Sequence, residues 1–264
     1  MLLPAAVGLL SMMIRRQGVM ADEEAVQAGE LASATAINAF EAVARSLHAG
    51  VWLMCYIVLG LASQSIAGEF AQGTLRNVLL RPVSRLHVTV GKSLAVLGAS
   101  LLAYALLVLI SVGTAATSFK FEGVYEILAN GQLFPLLPAE ELWPTFWRAL
   151  HSPLLPLAAY AGIGFLAGTL FRRGASALAV ALGAGFLLDL GRDFARGSAL
   201  EGAFPSVYVP SLGRSSYIDF LLEESQGVSN VLYRFEDTEL VVPLAWILLT
   251  FGLATILFRR RYVP

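Results

Sequence analysis

The sequence predicts an all-α fold, a polytopic membrane helix bundle of about six transmembrane spans with the first incomplete. Three observations carry that prediction. Of the 264 residues, 57% are hydrophobic and 14% charged, against roughly 45–50% and about 25% in soluble domains. The apolar residues gather into runs of the length a bilayer demands: a helix needs about 20 to cross, because lipid offers its backbone no hydrogen-bond partner. The charges lie between those runs, and their sign alternates from one connection to the next. A formal net charge of −1 leaves no basic excess to attract a nucleic acid, and the single cysteine, Cys55, excludes an intrachain disulfide.

The first apolar run, 1–14, stops at Arg15 and Arg16 and is shorter than a span. It reads as the outer half of a helix whose start lies upstream. A signal peptide is the rival, although no basic stretch precedes the run and no small-x-small site follows it. Residues 49–67, 93–116, 152–171 and 240–258 each suffice for a crossing, and 175–190, free of charge before Asp189, forms a shorter fifth run. No repeat or flexible linker divides the chain, so 1–264 reads as one transmembrane domain. Trp143, Phe146 and Trp147 around Pro144 are placed to anchor the interface before the 152–171 span. The mixture of prolines, tyrosines and leucines over 203–224 predicts short helices on the outer surface.

Orientation follows from the cations. Arg76, Arg81, Arg85, Lys92, Arg172, Arg173, Arg259, Arg260 and Arg261 fall in three short segments with one acid, Glu69. The other connections hold the remaining nine cations among all the other acids. The basic side is therefore cytoplasmic, with both termini on it, and the acidic loops 15–48, 117–151 and 191–239 face outward.

The connection 68–92 is the most informative stretch. At 100° per residue, Ala71, Leu75, Val78 and Leu79 share one face, and Glu69, Gly73, Arg76 and Asn77 the opposite one. This predicts a short amphipathic helix that Pro82 ends at Arg81, with Ser84 placed to cap the next helix. From these residues alone it is either an interfacial helix held by snorkelling arginines or a surface that receives a partner. Glu69, the run Gly73-Thr74-Leu75-Arg76, Leu79-Leu80, Pro82-Val83-Ser84-Arg85 and Lys92 resemble the cytoplasmic signature of type-2 ABC transporter permeases. The resemblance extends from Ala49 to the C-terminus in span order, charge topology and the long loop before the last span. The stretch before Ala49 departs from it, lacking the amphipathic helix and complete first span usual in the family.

That resemblance implies a permease subunit, most often an exporter, in a bacterial-type inner membrane. It implies an ABC ATPase subunit as partner, which binds ATP and Mg, and a second permease chain, identical or not, in the same lipid. Coupling to the ATPase then falls to Glu69, Gly73, Thr74, Leu75, Arg76, Leu79, Leu80, Pro82, Ser84 and Arg85, with Glu69 and Arg76 as polar contacts and Gly73 allowing close approach. The chain itself is expected to be no enzyme. Gly91-Lys92-Ser93 imitates part of a phosphate-binding loop, but Leu86 stands where its first glycine belongs. No metal-type spacing joins His48, His87 and His151, which are placed at membrane interfaces, and no hydrolase motif occurs.

Ser63 and Gln64, near the cytoplasmic end of the 49–67 span, are candidates for the pathway, with hydrogen bonding between helices as the simpler role. Asp189, Arg192 and Asp193, at the outer end of the fifth run, are candidates for an exit, or are local pairs that finish a helix. Gly164 and Gly168 form a small face suited to close helix packing. Two other classes stay open: a non-transporting scaffold or regulatory subunit whose outer loops bind an extracytoplasmic protein, and a secondary carrier.

Overall fold

Asn38 opens a long helix by capping it: its side-chain oxygen accepts from the Glu41 N–H at 2.8 Å, satisfying one of the donors that every helix start leaves over. The structure, a computed structural model, describes residues 3–27, 33–73, 84–128, 132–210, 215–228 and 234–260. Its helices are α1 (Leu3–Gln27), α2 (Ala39–Gln72), α3 (Arg85–Ser118), α4 (Ala139–His151), α5 (Leu154–Leu170), α6 (Gly174–Ala195), α7 (Tyr217–Glu224) and α8 (Val241–Arg260). Three short strands, β1 (Ser33–Thr35), β2 (Val124–Leu128) and β3 (Leu133–Leu137), also lie among the described residues. Helical stretches built on α2, α3, α4 with α5, α6 and α8 are long and apolar enough to cross a membrane, and the fold is the all-α polytopic bundle the sequence predicts.

Helix ends differ from the ends of the apolar runs. α2 starts at Ala39 rather than at 49 and ends at Gln72 rather than at 67, and α3 starts at Arg85 rather than at 93. At 1.5 Å per residue each of these 34-residue helices runs about 50 Å, beyond the ~30 Å of hydrocarbon. α1 continues through Arg15 and Arg16 to Gln27, past the end expected at Ile14. The arginine that was to stop it is paired, 3.0 Å from Glu41 and 3.6 Å from Asp22. α1 is not among the stretches with the length and hydropathy of a span.

One unit takes in Met1–Trp52, Ala103–Pro153 and Val209–Arg234. Its strands form an antiparallel sheet in the order β1-β2-β3, with Thr35 opposite Glu126 and Ile127 opposite Leu133. Its core is aromatic: Phe40 meets Phe121, Trp143 and Phe146 edge-on at 5.1, 5.1 and 5.5 Å, pairs each worth about 0.5–1.5 kcal/mol beyond their burial. α4 supplies Leu142, Thr145, Phe146 and Ala149 to the buried side, the three-and-four spacing of an amphipathic helix. α7 starts with a reciprocal cap between Ser216 and Asp219, and Asp219 also meets His48 Nδ1 at 2.6 Å. Glu41, wholly buried, gathers Arg15 Nε, Arg45 Nη2 and Gln226 Nε2 onto one oxygen at 2.9–3.0 Å.

Burial in this unit holds the Glu224 carboxyl above its ordinary value of 4.5, with the Glu141 charge adding to the effect and a hydrogen bond from Thr145 opposing it. An acid shifted this way costs no stability below its ordinary value; the penalty grows above it and is complete once the folded carboxyl has itself ionised. Glu224→Gln is therefore expected to raise the thermal midpoint of the detergent-solubilised protein at neutral pH. The gain should shrink as pH falls toward 4.5, and a pH-independent gain would remove the electrostatic explanation.

The other unit takes in Leu53–Leu102, Leu154–Tyr208 and Phe235–Pro264. α5 is its most enclosed helix, with Gly164 and Gly168 against the backbone of α2: a Cβ on Gly168 would stand 2.5 Å from the Ser63 carbonyl oxygen, and one on Gly164 would strike that of Leu59. After α6 come two 3₁₀ turns, Glu201–Ala203 and Pro205–Tyr208, which with α7 are the short helices expected over 203–224. The turns are strapped to the unit's helices: Arg192 donates to the Ser206 carbonyl at 3.2 Å and Trp246 to that of Ala203 at 2.9 Å.

Candidate functional site

The connection that carries the sequence signature lies between the end of α2 and the start of α3. α2 does not stop before Glu69: its last turns contain Glu69, Phe70, Ala71 and Gln72. It ends at Gly73, whose φ of +71° is the left-handed conformation that glycine adopts at little cost and that closes helices. The separate amphipathic helix expected from Glu69 onward is corrected to the extent that residues 69–72 continue α2. Gly73 ends the helix rather than lying on a helical face, and a Cβ there would meet nothing within 4 Å. Thr74, Leu75, Arg76, Leu79, Leu80 and Pro82 lie outside the described residues.

On the far side of the connection, α3 begins as its sequence demands. Ser84 Oγ accepts from the His87 N–H at 3.3 Å and meets His87 Nδ1 at 2.5 Å, so Ser84 is the cap it was expected to be. Arg85 donates to the Arg259 carbonyl at 3.3 Å, where the last C=O groups of α8 lack helical partners.

Lys92, one face further along α3, reaches across to α2. Its ammonium lies 2.5 Å from Glu69 Oε1 and donates to the Ser65 carbonyl at 2.8 Å. The Lys92 side chain is 17% exposed and that of Glu69 36%, so the pair is partly shielded, and a charge-assisted bond in such a place exceeds one in open water. The lysine of the phosphate-loop imitation is thus part of the α2–α3 contact. Below it, Ala62 and Ile66 of α2, Val88 of α3, Phe165 of α5 and Ala254 and Phe258 of α8 form a buried apolar cluster, with Phe70 packed against it. Phe70 meets Phe258 edge-on at 6.5 Å. Four helices therefore share one core immediately beneath the ends of the connection, while Ala71, Gln72 and Gly73 on its near side are exposed.

The other candidates are distributed differently. Ser63 is buried and bonds back to Gly60 in its own helix at 2.8 Å, whereas Gln64 donates to the Gly174 carbonyl at the start of α6, also at 2.8 Å. Asp189 accepts from Tyr56 of α2 at 2.7 Å and from Tyr160 of α5 at 3.5 Å, a three-helix polar contact that the sequence did not reveal. Arg192, only 2% exposed, pairs with its neighbour Asp193 at 2.8 Å, and Asp193 also meets Arg196 at 3.3 Å. The three charged residues are close in space, as their spacing implied, but Asp189 is drawn toward tyrosines and Asp193 toward two arginines. Among the described residues no group of three or more His, Cys, Asp and Glu side chains has the geometry of a metal site.

A search of curated proteins finds no match to this chain. The family model described as ABC-2 family transporter protein matches residues 3–173, from the start of α1 to the end of α5 and through the whole connection. The match takes in the stretch before Ala49 that was expected to depart from the family, and it stops short of α6 and α8. With its family model covering well over half the residues and its helices suited to repeated membrane crossing, the chain belongs to the ABC-2 transporter family and is a multi-pass membrane permease of an ABC transporter.

Proposed function

We propose that this permease receives the motion of an ABC ATPase subunit through residues 69–85 and exports its cargo across a bacterial-type inner membrane, with both termini in the cytoplasm. ATP and Mg belong to the partner, and a second permease chain, identical or not, completes the pathway within the lipid. The observation that carries this reading is the buried cluster shared by α2, α3, α5 and α8 beneath the connection, together with the Glu69–Lys92 and Arg85–Arg259 contacts above it. A load applied to the connection cannot move one helix alone. It passes into four packed helices, because close-packed interiors transmit displacement rather than absorb it.

Arg76 supplies a cationic contact to the ATPase. Glu69 acts through its bond to Lys92, which fixes the spacing of the two flanking helices. Ser63, Gln64, Asp189, Arg192 and Asp193 are the polar groups nearest the proposed path. Cargo specificity resides there or in the outer loops. The scaffold and the secondary carrier receive no comparable support, since neither requires a reinforced cytoplasmic connection.

The test is co-purification of the chain with its ATPase from native membranes, followed by an assay of ATP hydrolysis and transport. Gly73 sharpens it. Asparagine tolerates the left-handed conformation and valine does not, with a penalty of order 1 kcal/mol or more. Gly73→Asn is expected to keep both the complex and coupled transport. Gly73→Val is expected to insert normally but lose most stimulation of the ATPase, because the connection leaves α2 in another direction. Equal activity of the two variants would remove Gly73 from the coupling path, and a folded, inserted chain that never captures an ATPase would overturn the proposal.

A further inference from the structure

Strand β3 is an anomaly for a water-facing connection. Leu133-Phe134-Pro135-Leu136-Leu137 holds no polar side chain, lies at an edge of its sheet, and leaves Leu133 62%, Phe134 54% and Leu136 38% exposed. Soluble proteins protect edge strands with charges. Here Pro135 removes one backbone donor, but no charge occurs from Gln132 to Ala139. Contiguous exposed apolar surface of this kind marks contact with a protein or a membrane.

The chain's own connections say which. The apolar run of α3 persists to Ala116, so the helix end at Ser118 stands at the boundary of the hydrocarbon. Five residues separate it from β2, a tether that reaches about 20 Å at most. On the other flank β3 is joined through Pro138 to α4, and α4 through Ser152-Pro153 to α5. α5 has 17 residues, fewer than the ~20 a crossing requires, which puts the bilayer boundary within the last turns of α4. Trp147 stands there, 59% exposed, with Trp143 one turn earlier stacked on it at 6.3 Å. Exposed tryptophans in that position are the usual mark of the headgroup layer. The sheet's outer edge is thus held at the membrane surface from both ends, beside a helix already seated in it.

We infer that β3 dips into the outer leaflet, with Leu133 and Phe134 among the acyl chains, so that the β2–β3 pair and α4 form a lipid-anchored collar on the outer side of the permease. This reading assumes the membrane topology but not the ATPase coupling, so the two fail independently.

The experiment places a nitroxide at Phe134→Cys, and separately at Leu133→Cys, in a Cys55→Ala background of the full chain reconstituted in phosphatidylcholine vesicles. Collision with oxygen, which concentrates in lipid, is compared with collision with a water-soluble nickel chelate. Leu248→Cys in α8, 73% exposed on a span, serves as the lipid reference, and Lys120→Cys as the aqueous one. Both β3 labels are expected to resemble Leu248→Cys, with oxygen accessibility several-fold above that of nickel. Ready access to nickel, as at Lys120→Cys, would place β3 in water and overturn the inference. Low accessibility to both reagents would mean that a protein surface, such as a second copy of the chain, covers the strand, and would overturn it equally.

Discussion

Glu41→Leu is expected to cost about 3–5 kcal/mol of stability, toward the lower figure, and to leave little monodisperse protein after detergent extraction. Removing one member of a buried ionic network leaves the others desolvated without their counter-charge, and losses of about that size follow. Glu41 is wholly buried and holds Arg15 at 3.0 Å and Arg45 at 2.9 Å. The two arginine side chains retain 25% and 28% of their exposure, so water recovers part of the loss. Domains are stable by only about 5–15 kcal/mol, and the remainder is still a large fraction. Glu41→Gln keeps an acceptor for Gln226 and the arginines and should fall between. Arg15→Met and Arg45→Met added to Glu41→Leu should recover much of the midpoint, since an apolar replacement of a whole network is often tolerated. A Glu41→Leu protein that melts with the wild type would show that the network contributes no net stability.

The network also shows where sequence reading stopped. Hydropathy located the membrane runs because each is long and its signal is additive, but it ended α1 at Ile14, since Arg15 and Arg16 are charged in any window. The partner of Arg15, Glu41, is 26 residues away, and no local rule links them. The sheet was missed for a related reason. β1 has three residues and β3 contains Pro135, which counts against a strand; an edge strand tolerates the proline, and that is where β3 lies.

At the candidate site the cap at Ser84 was legible because it depends on residues within one turn. The continuation of α2 to Gln72 was not: a glycine in a helical pattern reads the same whether it lies on a face or ends the helix, and only its φ distinguishes them. The Glu69–Lys92 pair and the tyrosines around Asp189 depend on how helices meet, which one sequence does not disclose. Glu69 and Asp189 were identified as candidates, and their partners came from packing.

Gly168→Leu is expected to abolish the folded protein, with Gly164→Leu close behind, while Gly98→Leu should be neutral. The distinction rests on what each new side chain meets. At Gly168 the first carbon already stands 2.5 Å from the Ser63 carbonyl oxygen and 3.2 Å from its carbon, a backbone contact that no rotamer relieves. α5 must then move off α2. Overpacking costs about 1–3 kcal/mol where side chains can yield and more where the obstacle is a helix backbone. Separation also pulls Phe165 from Ala62 and Ile66 in the cluster under the cytoplasmic connection, so a milder Gly168→Ala that survives extraction should bind its ATPase yet transmit less of its motion. A Cβ at Gly98 on α3 meets nothing within 4 Å. Size-exclusion profiles and thermal midpoints of the four variants in detergent, with ATPase stimulation measured for Gly168→Ala, check the series. If Gly168→Leu folds and couples as well as Gly98→Leu, then α2 and α5 are not locked together, and the connection has no shared core through which to act.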